Sequence, residues 1–230
     1  MKPEHPLIAI IGPTAVGKTS VSIELARRMD GEIISADSRL VYRGMDIGTA
    51  KPTVEERSIV PHHLIDIVDP SETYSLAEYR KAALAVIGEV HQRGRLPFLV
   101  GGTGQYIRAV LEGWVPPPRP DDFSFRRRME QWAEEHGHRA LHDRLRRLDP
   151  ARAAAIDPRN VRRVIRALEI YEITGVPPSK LRVKVPPPFE VLQIGLIRPR
   201  EELYERIDQR IDDMLAAGWL EEIEKLMDQG

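Results

Sequence analysis

Three short apolar runs, LIAII (7–11), EIISA (32–36) and LPFLV (96–100), are separated by stretches in which apolar residues return every three or four positions. Runs this short, rich in Ile, Leu and Val and ending in Gly, Asp or Ser turns, predict strands buried on both faces of a parallel sheet. Between the last two, YSLAEYRKAALAVIGEVHQRGR predicts one long helix. Ser75 and Glu78 have the spacing of a capping box, and Gly94 is placed to end the helix. Strand, helix, strand alternation predicts an α/β fold.

The pattern changes at Val115. PPPRP (116–120) and PPP (186–188) bracket a mainly helical segment. Proline fixes φ and removes a donor, so such runs make semi-rigid boundaries. VLQIGLI (191–197) is again strand-like, and a charged amphipathic helix follows from about Pro199. The predicted organisation is a discontinuous core, 1–115 with 191–230, interrupted by a helical insertion, 116–190. The closing LEEIEKLMDQG finishes a helix without a further strand, which leads to the expectation that the core's C-terminal part is missing.

Composition narrows the class. At 230 residues and 42% hydrophobic content the chain can bury a core, which excludes wholesale disorder. It has no cysteine, so disulfide scaffolds, thiolate metal sites and cysteine nucleophiles are excluded. Its longest apolar run, Ala82 to Ile87, is far short of the ~20 residues that span a bilayer. The N-terminus, MKPEHPLIAI, lacks the pattern of a signal peptide. A soluble, cytoplasmic protein with no membrane contact is expected. The net charge of −1 hides a division: residues 119–166 carry 13 Arg and 8 acids, whereas residues 200–230 carry 4 basic and 10 acidic residues. Segregated charge can present a basic surface to a polyanion; solvated helix faces are the plain alternative.

The clearest chemistry lies at GPTAVGKT, residues 12–19, which fits G-x-x-x-x-G-K-[ST] directly after a strand and before a helix. Gly12 and Gly17 permit backbone angles that let successive N–H groups of Thr14, Ala15 and Val16, after Pro13, line one concavity. Lys18 adds a positive charge, and the Thr19 hydroxyl can hold Mg²⁺. The third strand ends in GGTG (101–104) without the acid a kinase would use for its metal. Asp37, after EIISA, and Asp66, in HHLID, are the candidate replacements, with helix capping the bland role for Asp37. His62 and His63 lack further metal-ligand spacing and read as structural or tRNA-facing rather than zinc ligands, and Trp114, Trp132 and Trp219 read as packing residues.

GPTAVGKT, ISADSRLVYRGMDIGTAKP (34–52), PHHLIDIVDP (61–70), LVGGTGQYIRAVLEG (99–113) and RALEIYEITG (166–175) together closely resemble the tRNA isopentenyltransferase family, in order and across essentially the whole chain. The resemblance implies a P-loop NTPase-like parallel sheet core with a helical insertion domain that binds tRNA. It implies transfer of a dimethylallyl group from dimethylallyl diphosphate to N6 of the adenosine 3′ of the anticodon, in tRNAs reading codons that begin with U. By similarity the backbone of residues 13–19 with Lys18, Thr19 and Arg210 holds the diphosphate, with Mg²⁺ assisting. Asp37 matches the family's proposed base and Thr103 a residue lining the channel. Asp37, Ser38, Arg39 and Leu40 match contacts to a flipped-out adenosine.

The family's tRNA-contacting segment maps onto Arg162, Arg163, Val164, Ile165 and Arg166. At helical spacing from Pro158, Arg159, Arg162, Arg163 and Arg166 fall within an arc of roughly 100°, a cationic stripe suited to phosphate contacts. Arg126, in the run Arg126 to Arg128, is a further tRNA-contact candidate. A monomer is expected. Rival readings are an adenylate isopentenyltransferase, a P-loop small-molecule kinase and an RNA-binding module without turnover.

Overall fold

The computed structural model describes residues 5–117, 120, 122–181, 184–185 and 187–229. Two compact units divide the chain, residues 1–113 with 186–230 and residues 114–185.

The first unit is built on five parallel strands, β1 (Pro6–Ile11), β2 (Gly31–Ala36), β3 (His62–His63), β4 (Leu96–Gly101) and β5 (Glu190–Gly195), in the order β3-β2-β4-β1-β5. Ile11, Gly101 and Ala36 share one register level across β1, β4 and β2, so three strands finish at one edge. In open parallel sheets that edge is the ligand crevice. The helices interleaved with these strands are α1 (Lys18–Arg28), α2 (Val54–Ile59), α3 (Leu76–Gln92) and α4 (Gly104–Leu111). Side chains alternate across the sheet. Leu7, Ala9, Ile34 and Leu99 meet Tyr79, Ala83 and Ile87 of α3 and Tyr106 and Val110 of α4. Ile8, Ile10, Ile33 and Phe98 meet Ile23 and Ala26 of α1 on the opposite side. The double cover explains why β1 and β4 read as nearly continuous apolar runs.

Ser75 caps α3 as its spacing predicted. Glu78 N–H donates to the Ser75 hydroxyl (3.2 Å), Ser75 N–H to the Glu78 carboxylate (2.7 Å), and Gly94 follows the helix at φ 73°. β3, α2 and α4 escaped the pattern reading: β3 has two residues, α2 is a six-residue helix with no buried face, and α4 has only eight residues directly after the GGTG turn.

The second unit holds α5 (Ser124–His136), α6 (His138–Leu148), α7 (Pro150–Ala154) and α8 (Val161–Thr174). Met129, Ala133, Leu141, Leu145, Val164 and Leu168 form its core. The chain then returns through β5 to α9 (Arg200–Ala216) and α10 (Trp219–Met227) of the first unit. Among the described residues no helix is long and apolar enough to cross a membrane.

One charged group is buried in the sheet. Glu32 on β2 is 2% exposed and accepts from Arg93 Nε (3.0 Å) and Nη2 (2.7 Å), with His63 Nε2 2.6 Å away. These contacts explain why His63 belongs to the structure: it ties the edge strand to β2. His62 is likewise engaged, its Nδ1 lying 2.8 Å from the Val60 carbonyl. The Arg93 hydrogen bonds, against the cost of burial, hold the Glu32 carboxyl down at about 2, from an ordinary 4.5. A depressed carboxyl contributes stability that is complete above the ordinary value and lost as pH falls toward the folded one. Glu32→Gln is therefore expected to cost about 2 kcal/mol near neutrality. In denaturant titrations the gap to wild type narrows as pH drops from 4.5 toward 2; a constant gap would exclude this role.

Candidate active site

The loop between β1 and α1 closes around its own cations. Lys18 Nζ donates to the carbonyls of Gly12 (3.0 Å) and Pro13 (2.7 Å). From the far end of the chain, Arg198 Nε donates to Val16 O (3.0 Å) and Arg206 Nε to Ala15 O (2.8 Å). Ala15 (φ 62°) and Gly17 (φ 102°) both take the left-handed conformation, the turn that lets α1 begin at Lys18 with its N-terminus facing the loop. A Cβ on Gly12 would lie 2.8 Å from the Leu196 carbonyl, so this position admits nothing larger. The cleft above the loop is lined by Ala15, Gly17, Lys18 and Thr19 on one side and by Arg206, Gln209, Arg210 and Asp213 of α9 on the other.

The ends of β2 and β4 supply the neighbouring wall. Thr103 N–H donates to Ala36 O (3.1 Å), and Ser38 N–H donates to Thr103 Oγ1 (3.0 Å). Asp37 Oδ1 accepts from Arg39 N–H (2.8 Å), which pins the carboxylate at the start of its turn. Leu40 O receives Asp66 N–H (3.0 Å). Beneath them Tyr79 donates to Ser35 O (2.9 Å) and stacks on Tyr106 at 3.7 Å. Burial raises both phenols, Tyr106 to about 12, so the platform stays protonated and neutral.

Charges converge on the cleft. Burial lowers the proton affinity of Lys18, Asp37 raises it, and Arg210 lowers it again. Burial likewise lowers Arg210 while Asp37 raises it. Asp37 is thus within electrostatic reach of both cations, and Gly102 brings the GGTG turn close enough that a Cβ there would sit 3.7 Å from Lys18 Nζ. The structure brings together Asp37, Ser38, Thr103, Lys18, Thr19 and Arg210. Asp66, the other acid considered for a metal, does not join them. It pairs with Lys51 and with Arg57 Nη1 (3.0 Å). Arg206, Gln209 and Asp213 also line this cleft, and sequence reasoning missed them because on α9 they read as the polar face of a solvated helix.

In the second unit the predicted stripe needs correction. Asn160 caps α8, so Arg159 lies before the helix and is engaged with Asp157 at 2.7 Å. Val164 and Ile165 are 0% and 2% exposed and pack in the core of this unit, although Ile165 also borders the concave surface that the neighbouring arginines line. Arg126 is not a free contact either. Its Nε and Nη2 donate to Glu169 at 2.6 and 2.8 Å, while Arg166 Nη1 donates to the same carboxylate at 2.6 Å. Glu169 is 1% exposed; burial would raise it, but the Arg126 and Arg166 hydrogen bonds hold it below the ordinary carboxylate range. Arg162 and Arg163 are exposed and line one concave surface with Arg126, Arg127 and Arg166.

A Gly-rich loop of the phosphate-binding pattern on a parallel sheet, with cations and the carboxylates of Asp37 and Asp213 about it, defines a P-loop α/β protein. The model of the IPP transferase family matches residues 40–230, and that of isopentenyl transferases matches residues 5–64. The chain is 58% identical over 228 residues to the tRNA dimethylallyltransferase of Roseiflexus sp. (strain RS-1), covering 98% of this chain and 74% of that protein. The tRNA dimethylallyltransferase of Thermomicrobium roseum is 53% identical over 230 residues, with 100% and 70% covered. Among solved structures, full-length tRNA isopentenylpyrophosphate transferase from Bacillus halodurans matches with TM-score 0.67 and 50% identity, over 98% of this chain and 71% of that one. A eukaryotic dimethylallyltransferase acting on tRNA matches with TM-score 0.81 and 35% identity, over 97% and 56%. The chain belongs to the IPP transferase family.

The Glu169 cluster carries a stability prediction. Glu169→Ala leaves Arg126 and Arg166 facing a buried gap and is expected to cost the second unit about 3 kcal/mol. Limited proteolysis between residues 114 and 185 measures it; unchanged protection would show that the pairs contribute nothing.

Proposed function

We propose that this chain transfers a dimethylallyl group from dimethylallyl diphosphate to N6 of an adenosine in tRNA, the one 3′ of the anticodon in tRNAs reading codons that begin with U. The observation that carries the reading is the convergence of Lys18, Arg210, Asp37 and Thr103 about the phosphate loop, in a chain whose relatives bear the name tRNA dimethylallyltransferase.

The reaction breaks the allylic C–O bond, whose electron pair leaves on the diphosphate, and forms a C–N bond to the exocyclic amine. Negative charge grows on the leaving oxygen, so fixed donors there favour the transition state over the ground state. Lys18, Arg206 and Arg210 are those donors, held by the loop and α9 before any ligand arrives. The amine's lone pair is delocalised into the ring and it must shed a proton during transfer. Asp37, pinned by Arg39 N–H, is the base that takes it. Thr103 Oγ1, already bonded to Ser38, orients the amine beside it.

The hard oxygen donors Thr19 and Asp213 line the same cleft, which suits Mg²⁺ held by few protein ligands plus phosphate oxygens. Bound there, Mg²⁺ would neutralise charge on the leaving diphosphate. In the second unit Arg162 and Arg163, with Arg126 and Arg166 fixed by Glu169, form the tRNA-binding surface.

Labelled dimethylallyl diphosphate, unmodified tRNA and Mg²⁺ test the reaction. Label should pass to tRNA and not to AMP. Lys18→Ala and Asp37→Ala should each lower kcat/KM by about 10²–10⁴. Transfer to AMP alone would place the chain with free-adenylate enzymes, and γ-phosphate transfer from ATP without prenyl transfer would make it a kinase.

A second expectation concerns the tRNA surface. Arg162→Ala with Arg163→Ala should weaken tRNA binding and reduce the slope of log K against log salt by about 1 for each phosphate no longer neutralised. An unchanged slope in filter-binding titrations would remove these arginines from the interface.

A further inference from the structure

Outside the cleft, one carboxylate makes an unusual set of contacts. Glu222 on α10 accepts three consecutive backbone N–H groups: Asp46 and Ile47 at 2.7 Å on Oε2, and Gly48 at 3.0 Å on Oε1. Such a run of N–H groups forms an anion nest, and here a side chain 174 to 176 residues distant fills it. The same helix seals the turn sterically, since a Cβ on Gly48 would overlap the Trp219 indole.

The turn filled by Glu222 is locked from within as well. Thr49 Oγ1 donates to Met45 O (2.6 Å), Ala50 N–H to Ile47 O (2.9 Å) and Lys51 N–H to Asp46 O (3.0 Å). Lys51, with its side chain 3% exposed, donates to Tyr42 O (2.9 Å) and pairs with Asp46 (2.5 Å) and Asp66. The turn's outward link is to the cleft: Arg210 Nη2 donates to Thr49 O (3.2 Å). Arg210 therefore has its guanidinium fixed on one side by this turn while lining the phosphate cleft on the other.

We infer that Glu222 is a positioning residue for the transfer reaction, acting through the 46–49 turn to hold Arg210 against the donor's diphosphate. This inference rests on the transferase reading for its substrate. Its physical content is narrower, a coupling between a carboxylate on α10 and an arginine on α9. Charged acceptors to three N–H groups make strong bonds, and Gln in its place offers one oxygen while turning an NH₂ toward backbone donors. The turn then loosens and Arg210 loses its seat.

The test uses Glu222→Gln and Glu222→Asp, Arg210→Ala and the double variant Glu222→Gln/Arg210→Ala. Thermal unfolding, inorganic pyrophosphate binding and transfer kinetics are measured on the full chain. Glu222→Gln should weaken pyrophosphate binding about 10-fold, raise KM for dimethylallyl diphosphate in proportion and leave KM for tRNA within about 2-fold. Glu222→Asp should recover part of the loss. In the Arg210→Ala background the Gln substitution should have no further effect, because coupled residues are not additive. Equal losses in both backgrounds, or unchanged pyrophosphate affinity in a folded Glu222→Gln protein, would overturn the inference. Wild-type protein that binds pyrophosphate but transfers no prenyl group would sink the transferase reading instead, and the binding cycle would still decide the role of Glu222.

Discussion

The ends of β2 and β4 lie so close that a side chain between them is impossible: a Cβ on Gly101 would overlap the carbonyl of Ala36. This one approach shapes the wall of the site formed by Asp37, Ser38 and Thr103. It lets Thr103 N–H reach Ala36 O and places Thr103 Oγ1 under Ser38 N–H, so two chain segments 65 residues apart share one wall. It also fixes where Asp37 starts, since the residue before it is the last of β2. The stacked tyrosines below add rigidity without charge, Tyr79 holding the Ser35 carbonyl one residue before the strand end. A carboxylate placed by a strand end is positioned by the whole sheet, whereas one on a free loop is positioned only by its neighbours.

The cleft beside it is charged but already internally satisfied. Lys18 and Arg206 commit donors to loop carbonyls, and Arg210 commits one to Thr49. Burial lowers the proton affinity of Lys18 and Arg210, the sign of cations partly withdrawn from water. Such groups interact more strongly with an incoming anion than solvated ones would, because less water screens them and little reorganises on binding. Asp37 offsets part of that positive charge. The arrangement suits a reaction in which a polyanion departs on one side and a proton on the other.

Much of this was legible in the chain. Short apolar runs gave β1, β2 and β4, because a strand covered on both sides leaves a continuous apolar signature, and the phosphate loop has a fixed spacing dictated by its backbone angles. The ring of long-range contacts was not legible. Arg206, Gln209 and Asp213 look like the polar face of any solvated helix, and only the fold turns them to a loop some 190 residues earlier. The three N–H groups that Glu222 caps carry no side-chain signature at all. Glu169 was the one hidden residue with a readable signal. It stands in the buried sequence Ala167 to Ile170, and an acid on an apolar helix face requires cations brought to it.

That signal changes how an arginine-rich segment is read. Thirteen arginines between residues 119 and 166 suggest a uniform basic surface, yet they divide by what holds them. Arg126 and Arg166 converge on one buried carboxylate, and Arg166 also reaches Pro117 O at 3.2 Å. Their guanidinium planes are therefore set before any ligand arrives, and part of their charge is offset by Glu169. Arg162 and Arg163, exposed beside them on α8, have no comparable carboxylate partner among the described residues. Fixed planes favour geometry-dependent contacts such as stacking or bidentate phosphate bonds, because the ordering entropy has already been lost on folding. Exposed arginines without such a partner favour sequence-independent attraction to a polyanion. The buried glutamate thus divides the arginines of this surface into two that it fixes, Arg126 and Arg166, and two that it leaves exposed, Arg162 and Arg163.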